Sequence, residues 1–163
     1  SRFFAGNEHD ECEKRIAEHF NRKNKYYKGV SFNGKTVEFL KLKLAQDERS
    51  EFETGPSMFL QRELSEFKNY EEAYHQMMMD IIHLQVLSTD LVLHESNVKK
   101  IYVDGGFSNN AIYMNLLAKA YKEYEVYSAT VAQASAIGAA LALHTGVVPS
   151  GIVEVKRQHY EVL

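Results

Sequence analysis

An α/β fold is what this sequence predicts, on three observations. A short apolar run, Ile101-Tyr102-Val103, lies between lysines and the pair Gly105-Gly106, the pattern of a buried strand ended by a sharp turn. Helical spacing follows in Ala111, Met114, Leu117, Ala118 and Tyr121, a face that would lie against a sheet. A second strand pattern, Glu125-Val126-Tyr127-Ser128, comes next, and after it a small-residue helix from Ala132 to Leu143. Such alternation of strand and helix belongs to α/β sheets.

The turn between the first strand and its helix is the centre of the chain. Adjacent glycines at 105 and 106 give the backbone freedom to bend and leave no side-chain bulk, so a ligand can come close. Asn109 or Asn110 suits the helix N-cap, its side-chain oxygen accepting from a first-turn amide. The open end of this unit would direct free N–H groups outward, a natural seat for a nucleotide.

From the N-terminus, residues 7–20 read as a helix with Cys12, Ile16, Ala17 and Phe20 on one face and acidic residues near its start. Asn21 to Lys25 is a basic, solvated turn. Asn33-Gly34 between two partly apolar runs, Tyr26–Phe32 and Lys35–Leu40, predicts a β-hairpin. Val37, Leu40, Lys41 and Leu44 also align as a helix, so both readings stand for this segment. Gln46 to Phe59 is an acidic surface connection broken at Gly55-Pro56. Asn69-Tyr70-Glu71-Glu72 opens a long helix with a capping box. Its apolar face runs through Tyr70, Ala73, Tyr74, Met77, Ile81, Leu84, Leu87, Ser88 and Leu91. The run Met77-Met78-Met79 reads as adaptable core filling. Thr145-Gly146 and Pro149 stop the small-residue helix, and Gly151–Lys156 adds a short strand or extended tail.

Composition bounds the function. At 163 residues the chain fits one ordinary domain, with 45% hydrophobic and 25% charged residues typical of a soluble globular protein. A net charge of −3 gives no electrostatic reason to expect nucleic acid or an anionic membrane surface. One cysteine, Cys12, allows no intramolecular disulfide and fits a reducing, cytoplasmic setting. No apolar run approaches a membrane span and no signal-peptide pattern opens the chain. The opening Ser1-Arg2-Phe3-Phe4, without an initiator Met, reads as the start of a piece excised from a larger protein.

Most catalytic constellations find no anchor. His75 and His83 lie eight positions apart on one helix, about 12 Å, too far to share an ion, and no metal site is expected. Cys12 sits on the buried-looking face of its helix and reads as core. There is no G-x-S-x-G elbow, no Walker loop and no G-x-G-x-x-G fingerprint.

The ordered set Val103-Asp104-Gly105-Gly106, Asn109-Asn110, Met114, Leu116-Leu117-Ala118, a strand, and Ala134-x-Ala136-Ile137-Gly138-Ala139-Ala140 resembles the C-terminal domain of the FGGY carbohydrate kinases over residues 98–144. The resemblance implies the C-terminal half of an actin-like (ribonuclease H-like) ATPase fold, a mixed sheet flanked by helices, over 1–163 as a single domain. It also implies a two-domain kinase that uses ATP and Mg2+ to phosphorylate a sugar hydroxyl, on a ketose such as rhamnulose, fuculose or xylulose. Gly105, Gly106, Phe107, Ser108, Asn109 and Asn110 become the nucleotide-binding residues. In the family an Asn four residues after the second Gly flanks the adenosine; here that is Asn110, leaving Asn109 as the cap, although the two could exchange roles. Ser108 would reach the ribose. The Asp-x-Gly-Thr phosphate turn and the catalytic Asp belong to the missing N-terminal domain, so no catalytic residue is assigned and this chain alone is expected to be inactive. Where the family carries a Glu-Gly pair on the long helix, this chain has Asp80-Ile81. Two short likenesses touch the N-terminus: Arg2-Phe3 with the acidic helix after it resembles rhamnulokinases, and Gly6-Asn7-Glu8 resembles a xylulokinase-like Gly-Glu-Arg-Thr segment. The partners implied are the sugar, ATP and the N-terminal half, with homo-oligomerisation left open. The alternatives are a non-catalytic actin-like or chaperone-like nucleotide-binding domain and an α/β interaction domain in which the glycine pair is purely geometric.

Overall fold

The computed structural model describes residues 5–45, 58–130 and 156–160. The helix over Ala132–Leu143, its stop at Thr145–Pro149 and most of the 46–59 connection lie outside the described residues. What is described is a mixed α/β arrangement of four helices and a three-stranded sheet.

Helix α1 (Ala5–His19) follows the apolar spacing of its sequence, burying Cys12, Ile16 and Ala17, with Phe20 partly covered. His9 and Glu13 fall on the same buried face, which periodicity among apolar residues alone did not reveal. On another side Arg15 donates to the carbonyls of Phe59, Leu60 and Arg62 at 3.2, 3.0 and 2.8 Å. That one guanidinium satisfies the open end of a 3₁₀ turn at Met58–Gln61 and ties it to α1.

The expected hairpin does not form. Tyr26–Gly29 makes a 3₁₀ turn and Gly34–Ala45 is helix α2, so the helical reading of this segment is the correct one. The physical reason is a competing use of asparagine: Asn33 Oδ1 accepts from the amides of Lys35 and Thr36 at 3.0 and 3.2 Å, an N-cap rather than a turn corner. His75 fixes that cap from across the core. It is 1% exposed, its Nδ1–H donates to the Glu71 carbonyl at 2.6 Å, and its Nε2 accepts from the Asn33 amide at 3.0 Å.

This imidazole is therefore neutral, and burial holds it below the ordinary histidine value of 6.5. The unfolded chain binds the proton that the folded chain excludes, so stability is full above that value and falls as pH drops below it. The loss from this one group is at most about 1.4 kcal/mol per pH unit. An NMR titration should place the His75 midpoint below that of a free histidine, with the urea midpoint falling in parallel; a His75 midpoint at or above the free value contradicts this.

Helix α3 (Tyr70–Leu93) begins where the capping box predicts, with Asn69 Oδ1 accepting from the Glu72 amide at 2.9 Å. It packs against α1, α2 and α4 (Ala111–Ala120). Because neighbours surround its first half, Tyr70, Ala73, Tyr74, Met77 and Ile81 are buried, and so are His75, Gln76, Met78 and Ile82 off the expected stripe. Burying each large apolar side chain contributes about 1.5–3 kcal/mol. The second half runs out past the core: Leu87 is 41% and Leu91 80% exposed, so the predicted apolar face stops being a core face near Ile82.

Strand β1 (Lys100–Val103) pairs in parallel with β2 (Glu125–Thr130), Ile101 opposite Val126 and Val103 opposite Ser128, with α4 making the crossover. Strand β3 (Lys156–Tyr160) adds on the other side of β2, antiparallel, with Val126 opposite Tyr160. The sheet is mixed, in the order β1-β2-β3. The expectation of a buried first strand needs correction. Ile101 and Val103 turn toward the core, but Tyr102 points the other way, 47% exposed and stacked on Tyr127 at 5.3 Å, as the two-residue period of a strand requires. On α4, Met114, Leu117 and Ala118 are buried as predicted, with Tyr121 just beyond its end, whereas Ala111 is exposed and Ile112, Tyr113 and Leu116 join the core instead.

Candidate functional site

The glycine turn is built by local hydrogen bonds. Asp104 Oδ1 accepts from the Gly105 amide at 2.7 Å, folding the aspartate back onto the bend at the end of β1. Gly105 then takes φ 78° and ψ −156°, a region that only glycine occupies readily. Its carbonyl accepts twice from Ser108, from the amide at 3.2 Å and the hydroxyl at 2.7 Å, closing a 3₁₀ turn over Gly106–Asn109.

Asn110 joins this turn to α4. Its Oδ1 accepts from the amides of Ile112 and Tyr113, both at 3.1 Å, and its Nδ2 donates to the Tyr74 hydroxyl at 2.8 Å. So Asn110, not Asn109, caps the helix, and Asn109 is the exposed member of the pair. At the helix N-terminus, where an anion seat was expected, the Ile112 and Tyr113 amides are engaged by Asn110. Ser108 is 4% exposed and its hydroxyl donates back into the turn, to the Gly105 carbonyl. Phe107 turns inward, stacked on Tyr113 at 4.5 Å and edge-on to His9 at 5.6 Å.

What remains on the outside is Asp104, Gly105, Gly106 and Asn109. A Cβ built on either glycine meets nothing within 4 Å among the described residues. Gly105 has a conformational reason to be glycine; Gly106 has neither a positive φ nor a crowding neighbour among the described residues. A flat group laid on this bare backbone would find space that a side chain would fill. Among the described residues no cluster of three His, Cys, Asp or Glu is arranged to hold a metal ion.

Sequence reasoning missed the support behind the turn. Local patterns mark Tyr74 only as one apolar position in a period and give His9 no role at the turn. Their signal lies in contacts between residues 36 and 65 positions apart, which no local pattern carries. Asp80, which stands where the family pattern has Glu, is a buried ion-pair partner. Arg62 Nε and Nη2 reach its two oxygens at 2.7 and 3.0 Å, and Gln76 Nε2 donates at 2.8 Å. Among the described residues no helix is long and apolar enough to cross a membrane.

Residues 49–150 match the family described as carbohydrate kinase FGGY, C-terminal domain, a stretch holding α3, β1, the glycine turn, α4 and β2, with α1 and α2 ahead of it. No curated protein and no solved structure is significantly similar to the chain. With most of its length matched, and the strand, glycine turn and helix in place within that stretch, the chain belongs to the FGGY carbohydrate kinase family as a C-terminal domain.

Proposed function

We propose that this chain is the nucleotide-side domain of an ATP-dependent sugar kinase, with the actin-like architecture of that family. The observation that carries the reading is the open face of Gly105 and Gly106, where glycine at 106 answers to no need among the described residues. Adenine lies on that backbone, and Asn109, exposed beside it, supplies a side-chain amide to the nucleoside. Asn110 and Ser108 shape the turn from within, and Asp104 is engaged by the Gly105 amide rather than poised as a base.

Transfer of the γ-phosphoryl group to a sugar hydroxyl needs a carboxylate base, phosphate-binding turns and Mg2+ that neutralises developing charge. The sequence contains no Asp-x-Gly-Thr turn. In this reading a second domain supplies that turn, the base and the contacts to a ketose, and the two halves close on the substrates. The chain by itself binds adenine nucleotide weakly and transfers no phosphoryl group.

Titrating ADP into the isotope-labelled chain tests this. The amides of Gly105, Gly106 and Asn109 should shift in a saturable way, while incubation with ATP and ketoses yields no sugar phosphate. Shifts confined to other surfaces, or none at millimolar ADP, contradict the proposal and favour the α/β interaction domain.

A further inference from the structure

We infer that Tyr74, oriented by His9, is a positioning residue for the glycine turn, so that α1, which precedes the family-matched stretch, belongs to the nucleotide apparatus. The inference rests on the turn being the nucleotide site. Its structural half, that these two side chains set the shape of the turn, can be read without any nucleotide.

The orientation of Asn110 starts the argument. Two backbone N–H groups face one end of its side chain, so that end is the oxygen, and the NH2 end is left pointing at Tyr74. The Tyr74 oxygen accepts that bond, and its own O–H then donates to His9 Nε2 at 2.9 Å. His9 is thereby fixed as the tautomer whose Nδ1–H donates to Asp10 Oδ1 at 3.2 Å, where the chain of donors ends on an exposed carboxylate. Every donor in the series points one way, from the helix cap to the surface of α1. Tyr74 is fully buried, and burial holds its hydroxyl far above the ordinary tyrosine value, so it remains a donor at any working pH.

A second contact reaches the turn independently. The His9 ring meets the Phe107 ring edge-on at 5.6 Å and the Tyr27 ring edge-on at 4.8 Å, while Tyr27 stacks on Tyr74. Two residues of the turn, Phe107 through its ring and Asn110 through its amide, are therefore held by the same pair of side chains. The backbone between Gly105 and Asn110 is preorganised from behind, on the side away from the open glycine face.

Tyr70 supplies the control. It lies one helical turn before Tyr74, is equally buried, and donates to Glu13 at 2.8 Å without touching the turn. Tyr70→Phe and Tyr74→Phe each remove one buried hydroxyl from the same helix, so a general loss of stability affects both. Only Tyr74→Phe should also shift the Asn110 side-chain NH2 resonances, speed hydrogen exchange at Ile112 and Tyr113, and raise the Kd for ADP about three- to tenfold. His9→Ala should act in the same direction, and His9→Gln, whose carbonyl can take the Tyr74 proton, should restore much of the wild-type affinity. Equal ADP affinity in wild type and Tyr74→Phe, or equal effects of Tyr70→Phe and Tyr74→Phe on it, overturns the inference. If wild-type chain shows no ADP response at the turn, the proposed function fails. The positioning role is then judged on the Asn110 resonances and the exchange rates alone, and unchanged values there overturn it.

Discussion

Replacing Arg62 by alanine is expected to cost about 3–5 kcal/mol of folding stability. Asp80 is 4% exposed, and its two oxygens are held by one guanidinium and the Gln76 amide. Removing Arg62 leaves the buried carboxylate with the neutral Gln76 amide and the electrostatic influence of His83, and loss of the guanidinium dominates. Burial already pushes the Asp80 carboxyl upward, and Arg62 followed by Gln76 pulls it back. Without the guanidinium the folded-state value rises further above that of the unfolded chain. The folded state then binds the extra proton, so the variant loses stability as pH rises through that interval. The deficit relative to wild type should be smaller near about pH 5 than near about pH 8. Urea denaturation at the two pH values measures it, and a deficit that is equal or larger at the lower pH contradicts the account. Replacing the pair together, Arg62→Met with Asp80→Leu, should recover part of the loss, because neither charge is then left unmatched while the buried Gln76 amide loses its acceptor.

The glycine pair should separate stability from binding. Gly105→Ala forces a Cβ onto a backbone at φ 78° and ψ −156° and is expected to cost about 1–3 kcal/mol, with loosening of the Ser108 bonds to its carbonyl. Gly106→Ala meets no neighbour among the described residues and no unfavourable φ, and is expected to stay within about 0.5 kcal/mol of wild type. Thermal or urea denaturation of the two variants reads this directly. Equal destabilisation of both would mean that the turn is not shaped as described.

The parts of the fold that were legible in the sequence are those specified within a few residues. The α1 face, the Asn69 cap, the strand ended by glycine and the helix after it all follow from local spacing and side-chain capping. Local pattern leaves hairpin and helix both open here because Asn33-Gly34 serves a turn and a helix cap equally well, and a histidine 42 positions away decides for the cap. The α3 stripe was read too far because periodicity states which residues share a face, not where neighbouring elements end. Leu87 and Leu91 keep the period and lose the cover. At the site, the glycines stood out because their backbone freedom is a property of the residue itself. The division of labour between Asn109 and Asn110 did not, since both are good caps and only the position of Tyr74 behind Asn110 decides. Asp80 gave no sign of being an ion-pair partner, because Arg62 reaches it from a different element.

The measurement that bears most directly on the central claim is the ADP affinity of Gly106→Ala beside that of wild type, taken on protein whose unfolding midpoint is unchanged. If adenine lies on this backbone, the added methyl occupies its place, and affinity should fall about tenfold or more, about 1.4 kcal/mol. Wild-type affinity in a folded Gly106→Ala chain would mean that the bared backbone faces nothing, and the assignment of this turn to a nucleotide would be wrong.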